Sequence, residues 1–324
     1  DNAPPALKHQ LARRGWVQCD ADDAEFHLHW KNSRFLPSDY ASVSANVRVN
    51  HIPKSMAITK KDTLLRNLRQ FRNVYGSVYN FFPEGFLLPS EYTKFLKAFA
   101  ASPDDDNTWI CKPVDLSRGR KIYLLDDMGD LKFDQATIIQ RYISNPLCIG
   151  GYKLDLRLYV LVTSVFPLRA YLYNDGLVRF GTEKYEMADI TNLYAHLTNS
   201  SINKFAPEFS RDKDVIGAGC KWSLEQLWRV LRRAPDEHGI RLSDKQNDRL
   251  WKRIVALVNC TLLILAANCP KNSNGFELFG FDVLLDKALK PWIVEVNSSP
   301  ALTVECQTDV DVKVPLMGDT IDAL

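Results

Sequence analysis

An α+β fold built as two sheet-bearing units is what the sequence predicts, and three observations carry that prediction. The 324 residues are 46% hydrophobic and 25% charged with 15 glycines, an ordinary globular composition long enough for two compact domains, or one with an appendage. A run of strand-like segments fills residues 109–180. Two helical patterns, 223–233 and 243–267, then separate that run from a closing pair of strands, with no internal repeat and no low-complexity tract.

Residues 1 to about 65 mix short patterns, with helical character at 7–14 and strand-like alternation at 25–30. Residues 62–71 place Leu64, Leu65, Leu68 and Phe71 on one helical face and Arg66, Arg69 and Arg72 on another. That basic face has two readings, a surface for an acidic partner or, more plainly, a solvated face. Ser90 opens a second helix with Tyr92, Phe95, Leu96 and Phe99 inward, and 102–107 is a polar loop. From Trp109 the segments 109–111, 122–125, 136–140, 154–164, 169–173 and 177–180 read as strands, with Asn174, Asp175 and Gly176 expected to close a hairpin. Ser243 is the expected N-cap of the second long helix, in which Leu250, Ile254, Leu257 and Val258 recur at helical spacing. Segments 276–285 and 292–297 read as strands joined through 286–291.

Charge and cysteine usage exclude several classes. The 41 basic and 39 acidic residues leave a net charge of +2, so no global field argues for nucleic acid, and a charged partner must meet a local patch. Cys19, Cys111, Cys148, Cys220, Cys260, Cys269 and Cys306 are scattered, odd in number and without a CxxC pair, which fits a reduced cytosolic chain better than a disulfide framework or a zinc site. The chain opens on Asp1 with no basic-then-apolar leader and reads as a piece of something longer. Its most apolar stretch, 254–269, falls short of the ~20 residues of a membrane span and reads as a buried helix. The N-x-S/T matches at Asn199, Asn259 and Asn297 read as chance, two of them lying in polar motifs expected to line a cleft.

Three constellations carry chemistry. Trp109-Ile-Cys-Lys-Pro, then Ser117-Arg-Gly-Arg-Lys, then 122–125 is strand, basic loop, strand; Lys112, Arg118, Arg120 and a glycine can fold over a polyphosphate, although such a hairpin is more often only a soluble turn. In Lys153-Leu-Asp-Leu-Arg-Leu-Tyr the strict alternation puts Lys153, Asp155, Arg157 and Tyr159 on one face, either a self-neutralising surface or a cleft wall with a cation for phosphate and a carboxylate for ribose. In the closing strands Glu295 and Asn297 project from one face, and hairpin pairing would bring Asp282 opposite, a hard-oxygen set suited to Mg²⁺ if the acids are not merely hairpin surface. No Ser/His/Asp or Cys/His nucleophile is apparent, and the lone His196 reads as structural. Together these features point to phosphoryl chemistry by positioning and charge neutralisation.

At this point the motifs resemble a known family. Trp109-Ile-Cys-Lys-Pro, Ser117-Arg-Gly-Arg, Gln140-Arg-Tyr-Ile, Lys153-Leu-Asp-Leu-Arg, Arg179-Phe-Gly-Thr-Glu-Lys, His196-Leu-Thr-Asn-Ser-Ser-Ile-Asn-Lys, Gly219-Cys-Lys-Trp, Phe276-Glu-Leu-Phe-Gly-Phe-Asp and Glu295-Val-Asn-Ser-Ser-Pro resemble, in order from about Ile52, the tubulin tyrosine ligase-like family, nearest its glutamylase branch. The resemblance implies an ATP-grasp fold: two antiparallel-sheet-containing domains, 66–143 and 144–324, clamping ATP, plus a small N-terminal domain, 1–65. It implies ATP contacts from Lys112, Arg118, Gly119, Gln140, Tyr142, Ile143, Lys153, Asp155, Thr198 and Asn199, and magnesium ligands Asp282, Glu295 and Asn297. It implies glutamate binding by Arg179, Ser200, Ser201 and Lys221, and Arg157 is the choice for stabilising the acyl-phosphate and tetrahedral species.

The reaction so implied is ATP-dependent addition of free glutamate, by isopeptide bond through an acyl phosphate, to glutamate side chains of the acidic C-terminal tails of tubulin in microtubules. Cofactors would be ATP and Mg²⁺, the protein a monomer without nucleic-acid or membrane partners, and its place the cytoplasm and cytoskeleton, with cilium or basal body a finer option. Two departures stand out: Lys121 where many relatives carry glycine, expected to stiffen the phosphate loop, and Ser200 where an aromatic is frequent. A tubulin glycylase, a ligase for a non-tubulin acceptor and a non-catalytic microtubule or ciliary protein are the competing readings.

Overall fold

The computed structural model describes residues 3–20, 25–44, 46–103, 107–116, 119–132, 135–207, 216, 220–233, 240–271 and 274–324. The N-terminal part comprises α1 (Pro5–Arg13), β1 (Leu28–His29), α2 (Pro37–Ser42), β2 (Arg48–Val49), the single-turn α3 (Met56–Thr59) and α4 (Lys61–Tyr75). β3 (Gly85–Leu88), α5 (Tyr92–Ala100), β4 (Trp109–Pro113), β5 (Tyr123–Leu125) and β6 (Thr137–Arg141) follow. Their four strands form a small antiparallel sheet in the order β3-β6-β4-β5. α5 lays Phe95 into the cluster of Phe86, Trp109 and Ile139 on one face of that sheet, as the aromatic spacing predicts.

The rest of the chain builds the large sheet from β7 (Cys148–Ile149), β8 (Tyr152–Val165), β9 (Leu168–Phe180), β10 (Lys221–Ser223), β11 (Glu277–Leu285) and β12 (Pro291–Asn297). Its order is β10-β9-β8-β11-β12, all antiparallel, with β7 beside the start of β8. α6 (Leu193–His196) and α7 (Ser200–Asn203) lie between β9 and β10, α8 (Leu224–Arg232) and α9 (Asp244–Asn268) between β10 and β11, and α10 (Gln307–Asp322) follows β12. The alternation of β8 decides which side meets what. Leu154, Leu156, Leu158, Val160 and Val162 point into the main core with Leu227 of α8 and Ile254 and Leu257 of α9. Tyr159 and Leu161 face the other way, onto Leu7 of α1 and Leu316 and Met317 of α10.

α9 begins at Ser243 through a reciprocal capping box, in which Ser243 Oγ accepts from the Gln246 amide and Gln246 Oε1 accepts from the Ser243 amide. At 25 residues it is longer than its apolar run alone indicated, and by length and composition it matches a membrane span. In this fold it is a core helix, with Leu250, Ile254, Leu257, Val258, Leu262 and Leu265 buried. The N-terminal part is fastened to the large sheet by the fully buried Glu277, which accepts from the Ile52 amide at 3.0 Å and lies 3.2 Å from His51 Nδ1.

Three expectations change. The basic face of α4 is not simply solvated: Arg69 binds Glu91 at 2.8 and 3.0 Å, Arg72 stacks over Phe82 and Arg66 pairs with Asp62. Asn174-Asp175-Gly176 does not turn the chain; β9 runs straight through it, with a register shift, and the reversal occurs at Phe166-Pro167. The reason is tertiary: Asp175 Oδ1 accepts from the Gly176 and Leu224 amides, tying this point of β9 to the start of α8. Finally, α10 was not anticipated, because its Asp/Val alternation and internal Pro315 hide a helical period.

Gly176 is needed for space. A Cβ there would lie 2.6 Å from the Arg157 carbonyl oxygen, a backbone atom of the neighbouring strand. Gly176→Ala is expected to destabilise the fold by about 1–3 kcal/mol through overpacking. Urea unfolding curves measure this, and a midpoint equal to wild type would contradict it.

Candidate active site

The site lies where the two sheets meet. The ends of β4 and β6 contribute Lys112 and Gln140, and the chain leaving β6 supplies Tyr142 and Ile143. On the large sheet, register sets a row of charged residues across five strands. Lys221 opposes Arg179, Arg179 opposes Asp155, Arg157 opposes Asp282, and Asp282 opposes Glu295. Strand pairing thus produces the alignment of Asp282 with Glu295 that the hairpin reading required, and it places Asn297 opposite Gly280.

Asp282 is the centre of that row. Arg157 holds it bidentately, Nε to Oδ1 at 2.5 Å and Nη2 to Oδ2 at 3.0 Å, and Arg179 Nη2 approaches Oδ2 at 2.9 Å. Arg179 also grips Asp155, with Nε donating to Oδ1 at 2.8 Å and Nη2 to Oδ2. Burial works against ionisation of Asp282, but Arg157 and Arg179 outweigh it and hold the carboxyl well below the usual range. Across the hairpin, burial and then the Asp282 charge push Glu295 up. Gly280 lets the Arg157 side chain cross β11, since a Cβ there would come 3.1 Å from Arg157 Cδ.

Three lysines face the same cleft, and among the described residues their hydrogen-bond acceptors are neutral. Lys112 donates to Gln140 Oε1 at 2.9 Å; Lys153 donates to the Tyr142 hydroxyl and the His196 carbonyl, both at 2.8 Å; Lys61 donates to the Leu116 carbonyl. Burial pulls Lys153 down to about 7 and Lys112 down to about 8, despite the opposing fields of Asp155 and Glu295 respectively. Ammonium groups placed in this way are stabilised by an anion that enters the cleft.

A relay of neutral contacts orients the Lys153 end. His196 Nε2 is 2.9 Å from the Asp189 carbonyl, which can only accept, so Nε2 carries the proton and Nδ1 accepts from the Tyr142 hydroxyl at 2.9 Å. His196 is fully buried, and burial lowers its pKa, in keeping with a neutral ring. The lone histidine expected to be structural therefore holds three chain segments together at the cleft edge. Ile110, Ile122 and Leu197 add an apolar wall beside Tyr142.

Among the expected site residues, Lys112, Gly119, Gln140, Tyr142, Ile143, Lys153, Asp155, Arg179, Thr198, Asn199, Asp282 and Glu295 line this one cleft. Asn297 borders an adjoining cavity of about 220 Å³, and Arg157 lies on Asp282 without lining the cleft itself. Arg118 falls outside the described residues. Ser200 and Ser201 begin α7 after Asn199 and do not line the cleft. Lys221 sits at the sheet edge, held by Glu305 at 2.8 Å and the fully buried Asp309 at 3.0 Å, which Lys313 also pairs. Gly119 adopts φ +73° against Ile202, and Lys121 adopts φ +55°, the left-handed conformation for which glycine is the natural choice. Lys61 was missed by sequence reasoning, which saw only a leucine face and an arginine face on its helix.

Two antiparallel sheets meeting over a lysine-lined cleft, with a carboxylate pair on the closing hairpin, define an ATP-grasp fold. The Tubulin-tyrosine ligase family model matches residues 41–324, and the chain belongs to that family. Over 332 residues it is 44% identical to "Probable tubulin polyglutamylase TTLL2" of Homo sapiens, covering 100% of this chain and 55% of that protein. It is 35% identical over 314 residues to "Tubulin polyglutamylase TTLL5" of Mus musculus, covering 95% of this chain and 23% of that one. It is also 33% identical over 349 residues to "Probable alpha-tubulin polyglutamylase Ttll1" of Tetrahymena thermophila, covering 96% and 81%. The chain thus spans about half the length of the human relative.

The depressed lysines predict a pH dependence. Both return to the ordinary 10.5 on unfolding, so above about pH 7 the unfolded chain binds more protons than the folded one, and stability of the ligand-free protein rises with pH from about 7 towards 10. Lys153→Met should flatten that rise. Urea unfolding at a series of pH values measures it, and an unchanged slope would show that Lys153 is not depressed.

Proposed function

We propose that the protein is an ATP-dependent glutamylase that joins free glutamate to glutamate side chains of acidic tubulin tails, working in the cytoplasm on the cytoskeleton. One observation carries this: three lysines, Lys153 buried and Lys61 and Lys112 half-buried, hydrogen-bond to neutral acceptors among the described residues and line the cleft that also holds the Asp282/Glu295 pair. A nucleotide polyphosphate satisfies the lysines, and a divalent cation relieves the crowded carboxylates. The relatives named as polyglutamylases support tubulin as the acceptor.

The donor set fits Mg²⁺. Asp282, Glu295 and Asn297 provide two carboxylates and an amide, and among the described residues no group of three or more His, Cys, Asp or Glu would hold a metal alone. Remaining positions would fall to water and phosphate oxygens, as Mg²⁺ prefers. Bound there, the ion would offset phosphate charge.

The other roles are those that the family resemblance implies. Gln140, Tyr142 and Ile143 take the base, with Asp155, Thr198 and Asn199 towards the ribose and phosphates. Lys112, Lys153, Arg118 and the Gly119 backbone take the phosphates. The acceptor γ-carboxylate attacks the terminal phosphorus and releases ADP. The donor amine then attacks the acyl carbon, phosphate leaves, and the nitrogen loses its proton as the isopeptide bond forms. No enzyme nucleophile is required, and the chain's part is to hold reactants and stabilise charge. Arg157, anchored on Asp282, is the cation for the acyl-phosphate stage. Arg179, Lys221, Ser200 and Ser201 form the donor side; a donor carboxylate displaces Glu305 from Lys221 while Asp309 stays.

The test is incorporation of labelled glutamate, glycine or tyrosine into tubulin with ATP and Mg²⁺, followed by intact mass. Glutamate is the expected label, and Glu295→Gln should reduce its incorporation by roughly 100-fold or more. Incorporation of glycine alone would replace the donor assignment, and equal activity of the variant would remove the catalytic one.

A further inference from the structure

We propose that Lys313 is a positioning residue for the donor amino acid, taking up the charge of Asp309 so that Lys221 keeps a positive charge for a donor carboxylate. This rests on the donor reading above, in which Lys221 meets that carboxylate. Lys221 stands on β10 opposite Arg179 of β9, at the end of the charged row that crosses the large sheet. The start of α10 is tied to that edge. The Thr308 hydroxyl donates to the Lys221 carbonyl at 3.1 Å, and Asp309, in the first turn, accepts from the Lys221 ammonium on Oδ2 at 3.0 Å. One turn further along the helix, Lys313 reaches back and places its ammonium 2.7 Å from Oδ1 of the same carboxylate. It also donates to the Thr303 carbonyl at 2.6 Å.

Charge balance gives Lys313 this role. Asp309 is fully buried, and Lys313 and Lys221 are 3% and 7% exposed, so the three groups meet away from solvent. Two ammonium groups and one carboxylate leave one positive charge in excess. Glu305 balances it at 2.8 Å from Lys221, and its side chain is 58% exposed, so it is the member of the cluster that an incoming carboxylate can replace. Burial works against ionisation of Asp309, but Lys313 and then Lys221 outweigh it and hold the carboxyl below its ordinary range. Without Lys313, Asp309 would neutralise Lys221, and a ligand displacing Glu305 would meet a pair with no net charge. With Lys313 in place, each oxygen of Asp309 has its own lysine, and Lys221 offers the surplus. Removing one member of a buried charge cluster changes the balance at the others, so the effect reaches a ligand that Lys313 does not touch.

Incorporation of labelled glutamate into tubulin by the full chain tests this, with KM measured separately for glutamate and for ATP. Lys313→Gln keeps a donor for the Thr303 carbonyl but removes the charge, and it is expected to raise the glutamate KM about tenfold with the ATP KM unchanged. Lys313→Arg, which keeps the charge, should stay within about threefold of wild type. The double variant Asp309→Asn, Lys313→Gln removes one charge of each sign, restores the surplus on Lys221 and should recover most of the loss. A merely structural Lys313 gives no such recovery. A double variant no better than Lys313→Gln therefore overturns the proposal, as does an equal rise in both KM values or no rise in either. Lys221→Met separates the underlying reading: a glutamate KM equal to wild type there overturns the donor assignment of Lys221 and this proposal with it. Wild type that incorporates no glutamate overturns the glutamylase reading and both assignments. Should Lys313→Gln fail to fold, the double variant decides: a glutamate KM within about threefold of wild type supports the proposal, and a rise beyond that overturns it.

Discussion

The carboxylate of Asp282, clasped by Arg157 and Arg179, is the interaction on which the rest of the site depends. It joins β8, β9 and β11 through side chains already in register, and it fixes a negative charge where Glu295 arrives from β12. Remove it and Arg157 loses its main counter-charge and Arg179 one of its two, the costly outcome for a buried ion pair. With it in place, the large sheet presents a wall whose charges are mutually neutralised at the floor. Lys61, Lys112 and Lys153 line the cleft beside it.

That division of labour explains the arrangement of positive charge. Arg157 and Arg179, with rigid forks suited to bidentate pairing, each hold a carboxylate of the sheet. The lysines, whose protonation is more easily shifted by burial, are the groups left to meet an anion. A net charge of +2 over the whole chain conceals this, because these lysines are gathered in one cleft. The chain belongs to the Tubulin-tyrosine ligase family, and the ligation proposed above would bring phosphates and carboxylates into one such cleft.

The strands and capped helices were legible because their signals are local. Strict alternation in β8 separated Lys153, Asp155 and Arg157 from the leucines, and Ser243 marked the start of α9. What failed did so for non-local reasons. Asn174-Asp175-Gly176 has turn chemistry, but Asp175 uses its side chain on the Leu224 amide and the strand continues. The helix at 307–322 is held by burial of Val312, Leu316 and Met317 against α1 and the sheet, contacts that its own residue pattern does not announce.

By itself, then, the sequence determined which residues are paired by spacing: the alternating charged face of β8, the two-residue step from Glu295 to Asn297, the glycine at 119. Periodicity is a property of neighbours along the chain and survives without a fold. Only the tertiary structure decided which of the cations already hold carboxylates of the chain and which do not. Arg179 pairs with Asp155 and Asp282 and Lys221 with Asp309 and Glu305, whereas among the described residues Lys112 and Lys153 meet neutral acceptors, and Lys61 enters the cleft from a helix far away in sequence. Charge pairing depends on distances between strands and helices brought together by folding, and no local pattern contains them.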